Sequence, residues 1–250
     1  MGSPHSPGQE DGFRETGNPG LTTAPFQLLP ATRRVERAAC SSIIKCLRKL
    51  GLAEAPVPIP VEDWIESALG VRFGVADLQH LGPNVLGAVF VQEREILVSN
   101  SITDQEGRFR FTVAHELGHL TLHSKLAASF HETSDESDFV NRRLEREADR
   151  FAAAFLMPIA LLTRELTTIC ESVNTDAAKM LLAVAAGEEQ AHRTFSGHIL
   201  PKIARRFVVS KSAALWRFAD LQIPTGEQAV PAEVINQMLG PKSRSARQNS

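Results

Sequence analysis

Two histidines four residues apart, His115 and His119, stand in an apolar run whose only charge between Phe111 and Leu122 is Glu116. The run, Arg110-Phe-Thr-Val-Ala-His-Glu-Leu-Gly-His-Leu-Thr-Leu-His123, places its apolar residues at helical spacing. A helix of this kind must be at least half-buried against a second layer. Residues four apart share one face, about 6 Å apart along the axis, so the two imidazoles can reach one metal ion at roughly 2.0–2.1 Å each. Glu116 then points toward the open position of the metal. There it can act as general base on a bound water whose pKa the metal lowers to about 7.

A catalytic site of this type needs a third protein ligand and one open position. The run Phe139–Pro158 supplies a candidate helix, with Leu144, Ala148, Phe151, Ala152 and Phe155 along one stripe and Pro158 as its stop. Glu145 or Glu147 can provide the ligand. Glu145 is favoured because Asp149 lies one turn on, on the same face, where it can hold the free ring nitrogen of a ligand histidine. Glu147 reads as part of a solvated face with Arg143 and Arg150. His123 lies about 12 Å along the axis from His115 if the helix continues, too far to share its metal. It is expected to line the cleft, as a candidate substrate contact, or to pack under the helix end.

The two segments together resemble the ImmA/IrrE-type metallopeptidases, through Arg110–His123 and through Glu145-Arg-Glu-Ala-Asp-Arg-Phe-Ala-Ala-Ala-Phe-Leu-Met-Pro158. Upstream, Pro60–Phe73 looks like the introductory helix and first strand of that family, and the resemblance spans roughly residues 35–222. It implies a cytoplasmic, gluzincin-like zinc peptidase, with His115, His119 and Glu145 as ligands and Glu116 as catalytic base. The studied members of the family cleave helix-turn-helix repressors in stress or mobile-element responses, so the resemblance implies such a repressor as partner. One Zn²⁺ per chain is expected, and Mn²⁺ could substitute. The fold class implied is α+β: a zincin-like core with a small, mainly antiparallel sheet on the metal-binding helices, then a helical region.

Composition narrows the alternatives. A chain of 250 residues, 43% hydrophobic, can bury a sizeable core, and a net charge of −2 creates no bulk attraction to nucleic acid or anionic membrane. Cys40, Cys46 and Cys170 lack metal-ligand spacing and read as reduced thiols, in keeping with a cytoplasmic setting. No stretch approaches the length of a membrane-spanning helix. The chain has no tyrosine, which excludes a tyrosine hydroxyl as the group that stabilises a tetrahedral oxyanion. His123, His131, His192, His198 or an arginine stay open for that role.

Along the chain, residues 1–30 read as a disordered tail, 31–170 as the peptidase domain, 171–240 as a helical region and 241–250 as a second tail. Helices are expected at about Arg33–Leu50 and Val61–Leu69. Strands are expected at Val71–Val75, Gly87–Val91 and Glu95–Ser99, the last two joined through Gln92-Glu-Arg94. The strand at Leu86–Val91 is a candidate edge for an extended substrate, with Gly87 and Ala88 leaving room for a peptide. Residues 199–223 read as helix, turn, helix, with Ser210 capping the second helix and Lys211 and Arg217 upon it. Val208 occupies the turn position that usually holds glycine, which weighs against a working DNA reader. Packing or repressor docking is therefore the preferred role of that element.

Overall fold

The chain enters through a two-residue strand, β1 (Gln27–Leu28), and an 18-residue helix, α1 (Arg33–Leu50). The inner side of α1 buries Val35, Ala39, Ile43 and Cys46, and Gly51 closes its end in the left-handed conformation at φ 66°. The computed structural model describes residues 25–131 and 139–239. The short helix α2 (Val61–Ser67) leads into β2 (Arg72–Ala76), followed by the hairpin of β3 (Gly87–Phe90) and β4 (Glu95–Ser99). Then come α3 (Glu106–Leu122), β5 (Ser129–His131), α4 (Phe139–Leu156), α5 (Ile159–Glu171), α6 (Ala177–Ala185) and α7 (Glu189–Thr194). A π turn at Phe195–Ile199 passes into α8 (Leu200–Phe207), and α9 (Lys211–Ala219), β6 (Leu221–Gln222) and α10 (Ala232–Leu239) complete the described chain.

The main sheet has the order β2-β4-β3-β5. β4 lies parallel to β2, while β3 is antiparallel to both β4 and β5. The class is thus α+β, with a small mixed sheet beside a large helical body. β5 was not foreseen, and it changes the reading of β3. Ala88 pairs with Leu97 on one side and His131 on the other. β3 is therefore an interior strand, and among the described residues β5 is the outer strand on that side.

One cluster of buried hydrophobic residues takes in positions from Phe26 to Ile235, on both sides of residue 170. Packing begins ahead of the first helix. Phe26 is buried against Phe218, with ring centroids 5.8 Å apart, and β1 pairs with β6. Aromatic burial of this kind offsets the entropy lost in ordering the segment. Residues 1–24, 132–138 and 240–250, which include most of the first expected tail and all of the second, lie outside the described residues.

Residues 199–223 hold two helices, α8 and α9, joined by a short turn at Val208. That residue sits at φ 53°, ψ 58° as the C-terminal cap of α8, a strained position for a β-branched side chain. Burial of Phe207, Val209, Ala214, Leu215 and Phe218 on either side of the turn holds it there. Ser210 caps α9 through its side chain, which accepts the Ala213 amide at 3.0 Å. Among the described residues no single helix is long and apolar enough to cross a membrane.

Candidate metal centre

α3 and α4 meet at Gly118. A Cβ at that position would stand 3.1 Å from the Ala148 Cα and 3.2 Å from its carbonyl oxygen. Only glycine lets the two backbones approach so closely, and that approach brings the side chains of α4 within reach of the histidines. His115 and His119 are 7% and 2% exposed, and Glu116 is 1% exposed.

The cluster is defined by a few distances. His115 Nε2 is 3.0 Å from His119 Nε2 and 3.1 Å from Glu145 Oε2, and His119 Nε2 is 3.4 Å from Glu145 Oε1. Ligands about 2.0–2.1 Å from a tetrahedral zinc ion stand roughly 3.3 Å from one another. The observed separations lie around that value, and nitrogen with carboxylate oxygen is a donor set that suits zinc. The residues present therefore fit the metal. The Glu145 side chain is 36% exposed, so the cluster opens to the outside on the α4 side.

Behind the cluster each histidine has a second partner. Asp149 Oδ1 lies 3.0 Å from His115 Nδ1, where the carboxylate accepts the ring proton and directs Nε2 toward His119 and Glu145. His119 meets His123, with Nδ1 to Nδ1 at 3.1 Å, and His123 Nε2 lies 3.2 Å from Glu147 Oε2. Phe130 of β5 stacks on His119, with centroids 5.0 Å apart and planes 21° from parallel.

These neighbours set the electrostatics. Burial works against charge on His115, but hydrogen bonds and charge from Asp149 and Glu145 outweigh it and hold its pKa well above the ordinary value. Burial pushes the pKa of His119 down, the bond to Glu145 only partly opposing it. For Glu145, burial favours the neutral acid, yet the two rings override it and keep the carboxyl far below the usual range.

Of the two places expected for His123, the buried one at the end of α3 agrees with its 1% exposure and its bonds on both ring nitrogens. Two other expectations from the sequence need correction. Glu147 is not on a solvated face. Its side chain is 14% exposed and contacts His123, Arg143 and Arg34 of α1, while Arg150 pairs with Asp220 instead. Gly87 and Ala88 leave no room for a peptide. Ala88 is 1% exposed and packs with Leu78 and Val85, and the space beside the Gly87 α-carbon is filled by the Glu116 carboxylate and by Thr112.

Among the residues left open for the oxyanion, His123 is engaged as described, and His192 Nε2 bonds the Val184 carbonyl at 2.9 Å. The His131 side chain lies outside the described residues. Two basic side chains of α8 and α9 are taken up by contacts within the protein. Arg217 is 1% exposed, with its guanidinium on Glu36 and on the Met157 carbonyl, and Arg206 pairs with Glu165.

Helix α3 with its paired histidines and the carboxylate from α4, beside the small sheet, form a cluster that could hold a metal ion. A family model described as the IrrE N-terminal-like domain, of a peptidase family, matches residues 72–218, and the chain belongs to that family. No curated protein matches the chain. The matched span takes in the whole cluster and continues into α9, whereas α1 and α2 precede it.

Proposed function

We propose that the chain is a zinc-dependent endopeptidase and that its substrate is a helix-turn-helix repressor, cleaved in a stress or mobile-element response in the cytoplasm. The observation that carries the enzymatic part is the convergence of His115, His119 and Glu145, whose ligand atoms all lie within 4.8 Å of one another, on the helix that bears Glu116. Membership of a peptidase family supports the same reading. The substrate class rests on the resemblance to the ImmA/IrrE-type enzymes.

In this reading His115 and His119 present Nε2 and Glu145 a carboxylate oxygen to the ion. A zinc ion held there would supply Lewis acidity, which lowers the pKa of water from about 16 to near 7. Glu116 accepts a proton from the attacking water and passes it to the departing amine, so that a carbon–oxygen bond replaces the carbon–nitrogen bond. Asp149 holds the Nδ1 proton of His115 and with it the ring orientation. A structural zinc site would have no use for a base beside the first histidine, which weighs against a regulator that binds without cutting.

Incubating the zinc-loaded protein with a repressor encoded nearby, and identifying fragments by mass spectrometry, tests the proposal. Discrete cleavage that disappears with chelation is the expected result. An intact repressor at full zinc occupancy would remove the substrate assignment, and inertness toward unfolded protein substrates as well would remove the peptidase reading.

A further inference from the structure

The contacts on the far side of His119 form a continuous line. Glu147 Oε2 lies 3.2 Å from His123 Nε2, and His123 Nδ1 lies 3.1 Å from His119 Nδ1. The carboxylate at one end fixes the direction of the line, because an ionised carboxylate can only accept. His123 must then donate from Nε2, which leaves its Nδ1 as an acceptor. The proton between the two rings therefore belongs to His119 Nδ1, and His119 Nε2 is left with a lone pair facing His115 and Glu145.

We propose that Glu147 and His123 are positioning residues that hold His119 in the tautomer and orientation required for metal binding. This rests on the reading of the cluster as a zinc site. The line does for His119 what Asp149 does for His115, but through an intervening ring, that of His123, the residue that caps α3. Burial makes the arrangement specific: His123 is 1% exposed, so water cannot substitute as acceptor. Glu147 is held in turn by Arg34 and by Arg143, whose Nε stands 3.2 Å from Oε1. Arg34 belongs to α1, upstream of the matched span 72–218. The first helix of the chain thus reaches the metal centre through three side chains.

The test compares zinc dissociation constants, measured by chelator competition, for wild type, His123→Phe, His123→Gln and Glu147→Gln. Thermal melts of the metal-free proteins show which variants fold. Loss of a partner of this kind typically weakens metal affinity about 10–100-fold. His123→Phe keeps the ring volume without an acceptor and should show such a loss. His123→Gln offers a carbonyl to the same proton and should recover much of it. In the zinc-loaded wild type, ¹⁵N-resolved spectra should show an exchange-protected Nδ1 proton on His119 that is absent in His123→Phe. Glu147→Gln removes the charge that sets the direction and should weaken binding even if His123→Phe does not fold. Dissociation constants for the folded variants within twofold of wild type would overturn the positioning role. Failure of the wild type itself to bind zinc would instead overturn the metal centre.

Discussion

Arg217 of α9 and Glu36 of α1 meet in the interior, 181 residues apart in sequence, with Nη2 and Oε2 separated by 3.1 Å. Arg217 Nε also donates to the Met157 carbonyl at 3.0 Å. The guanidinium is thus spent on tying the first and ninth helices to the end of α4 rather than on an external ligand. Removing one partner of a buried pair leaves the other charge without compensation, typically at a cost of about 3–5 kcal/mol. Arg217→Met should lower the free energy of unfolding in urea by that order. The double variant Arg217→Met with Glu36→Leu should recover most of the loss. A single variant as stable as wild type would show that the pair does not hold α9 in place.

Gly118→Ala puts two effects in opposition. Alanine in a helix interior is ordinarily worth about 1 kcal/mol over glycine. Here the new Cβ would press on the Ala148 backbone at 3.1 Å, and a packed backbone cannot step aside as a side chain can. The expected outcome is lower stability and weaker zinc binding, because pushing α4 away withdraws Glu145. Gly197 has open space around its Cβ position, and Gly197→Ala should be neutral or stabilising. Melting curves of the two variants give the sign in each case.

The helical spacing of Phe111–Leu122 and the capping chemistry of Ser210 are local, and both elements are where the sequence puts them. So are the strand cores, within a residue at each end. What the sequence did not disclose is non-local. The parallel pairing of β2 with β4 and the three-residue β5 depend on neighbours distant in the chain, and without β5 the strand β3 reads as an edge. Glu147 was misread for a related reason. Its i,i+4 partner Arg143 is real, but Arg34 and His123 lie 113 and 24 residues away. His123 could be excluded as a ligand from axial distance alone. Its contact with Glu147 depends on how α3 packs on α4, across 24 residues of sequence.

Cysteine reactivity should divide two to one. Cys46 and Cys170 are buried, and desolvation raises each thiol to a pKa of about 11, while Cys40 is exposed. At pH 8 iodoacetamide should label Cys40 alone until the protein is denatured. A thiol raised from about 8.5 in the unfolded chain contributes stability that is complete below that pH and is lost as pH rises toward 11. The melting temperature should fall across that window, and less so in a Cys46→Ala/Cys170→Ala variant. Rapid labelling of all three thiols in the native protein would contradict the packing around α1 and α5.

Gly87 offers a way to disturb Glu116 without touching the ligands. A Cβ there would collide with the Glu116 carboxylate and approach the Thr112 methyl to 2.8 Å. Gly87→Ala should displace Glu116 and reduce peptide cleavage at least tenfold, the size of a lost positioning interaction in general-base catalysis. Zinc content should stay at one ion per chain. Cleavage at the wild-type rate would mean that Glu116 can relocate without consequence.

The sharpest separation of roles comes from three carboxylates. Glu116→Gln is nearly isosteric and can still hydrogen-bond water, but it cannot take a proton. It should keep zinc and fold while cleavage falls about 10²–10⁴-fold. Glu145→Ala removes a ligand, so zinc affinity itself should drop and activity should return in part when zinc is raised. His115→Ala and His119→Ala should lose zinc more completely, since each removes a buried nitrogen donor. Asp149→Asn, which weakens the acceptor 3.0 Å from His115 Nδ1, should fall between, with about 10–100-fold weaker metal binding. Zinc content by mass spectrometry, measured beside cleavage rate, places each variant. Normal cleavage by Glu116→Gln would rule out general-base catalysis by that residue, and undiminished zinc in Glu145→Ala would rule out its carboxylate as the third ligand.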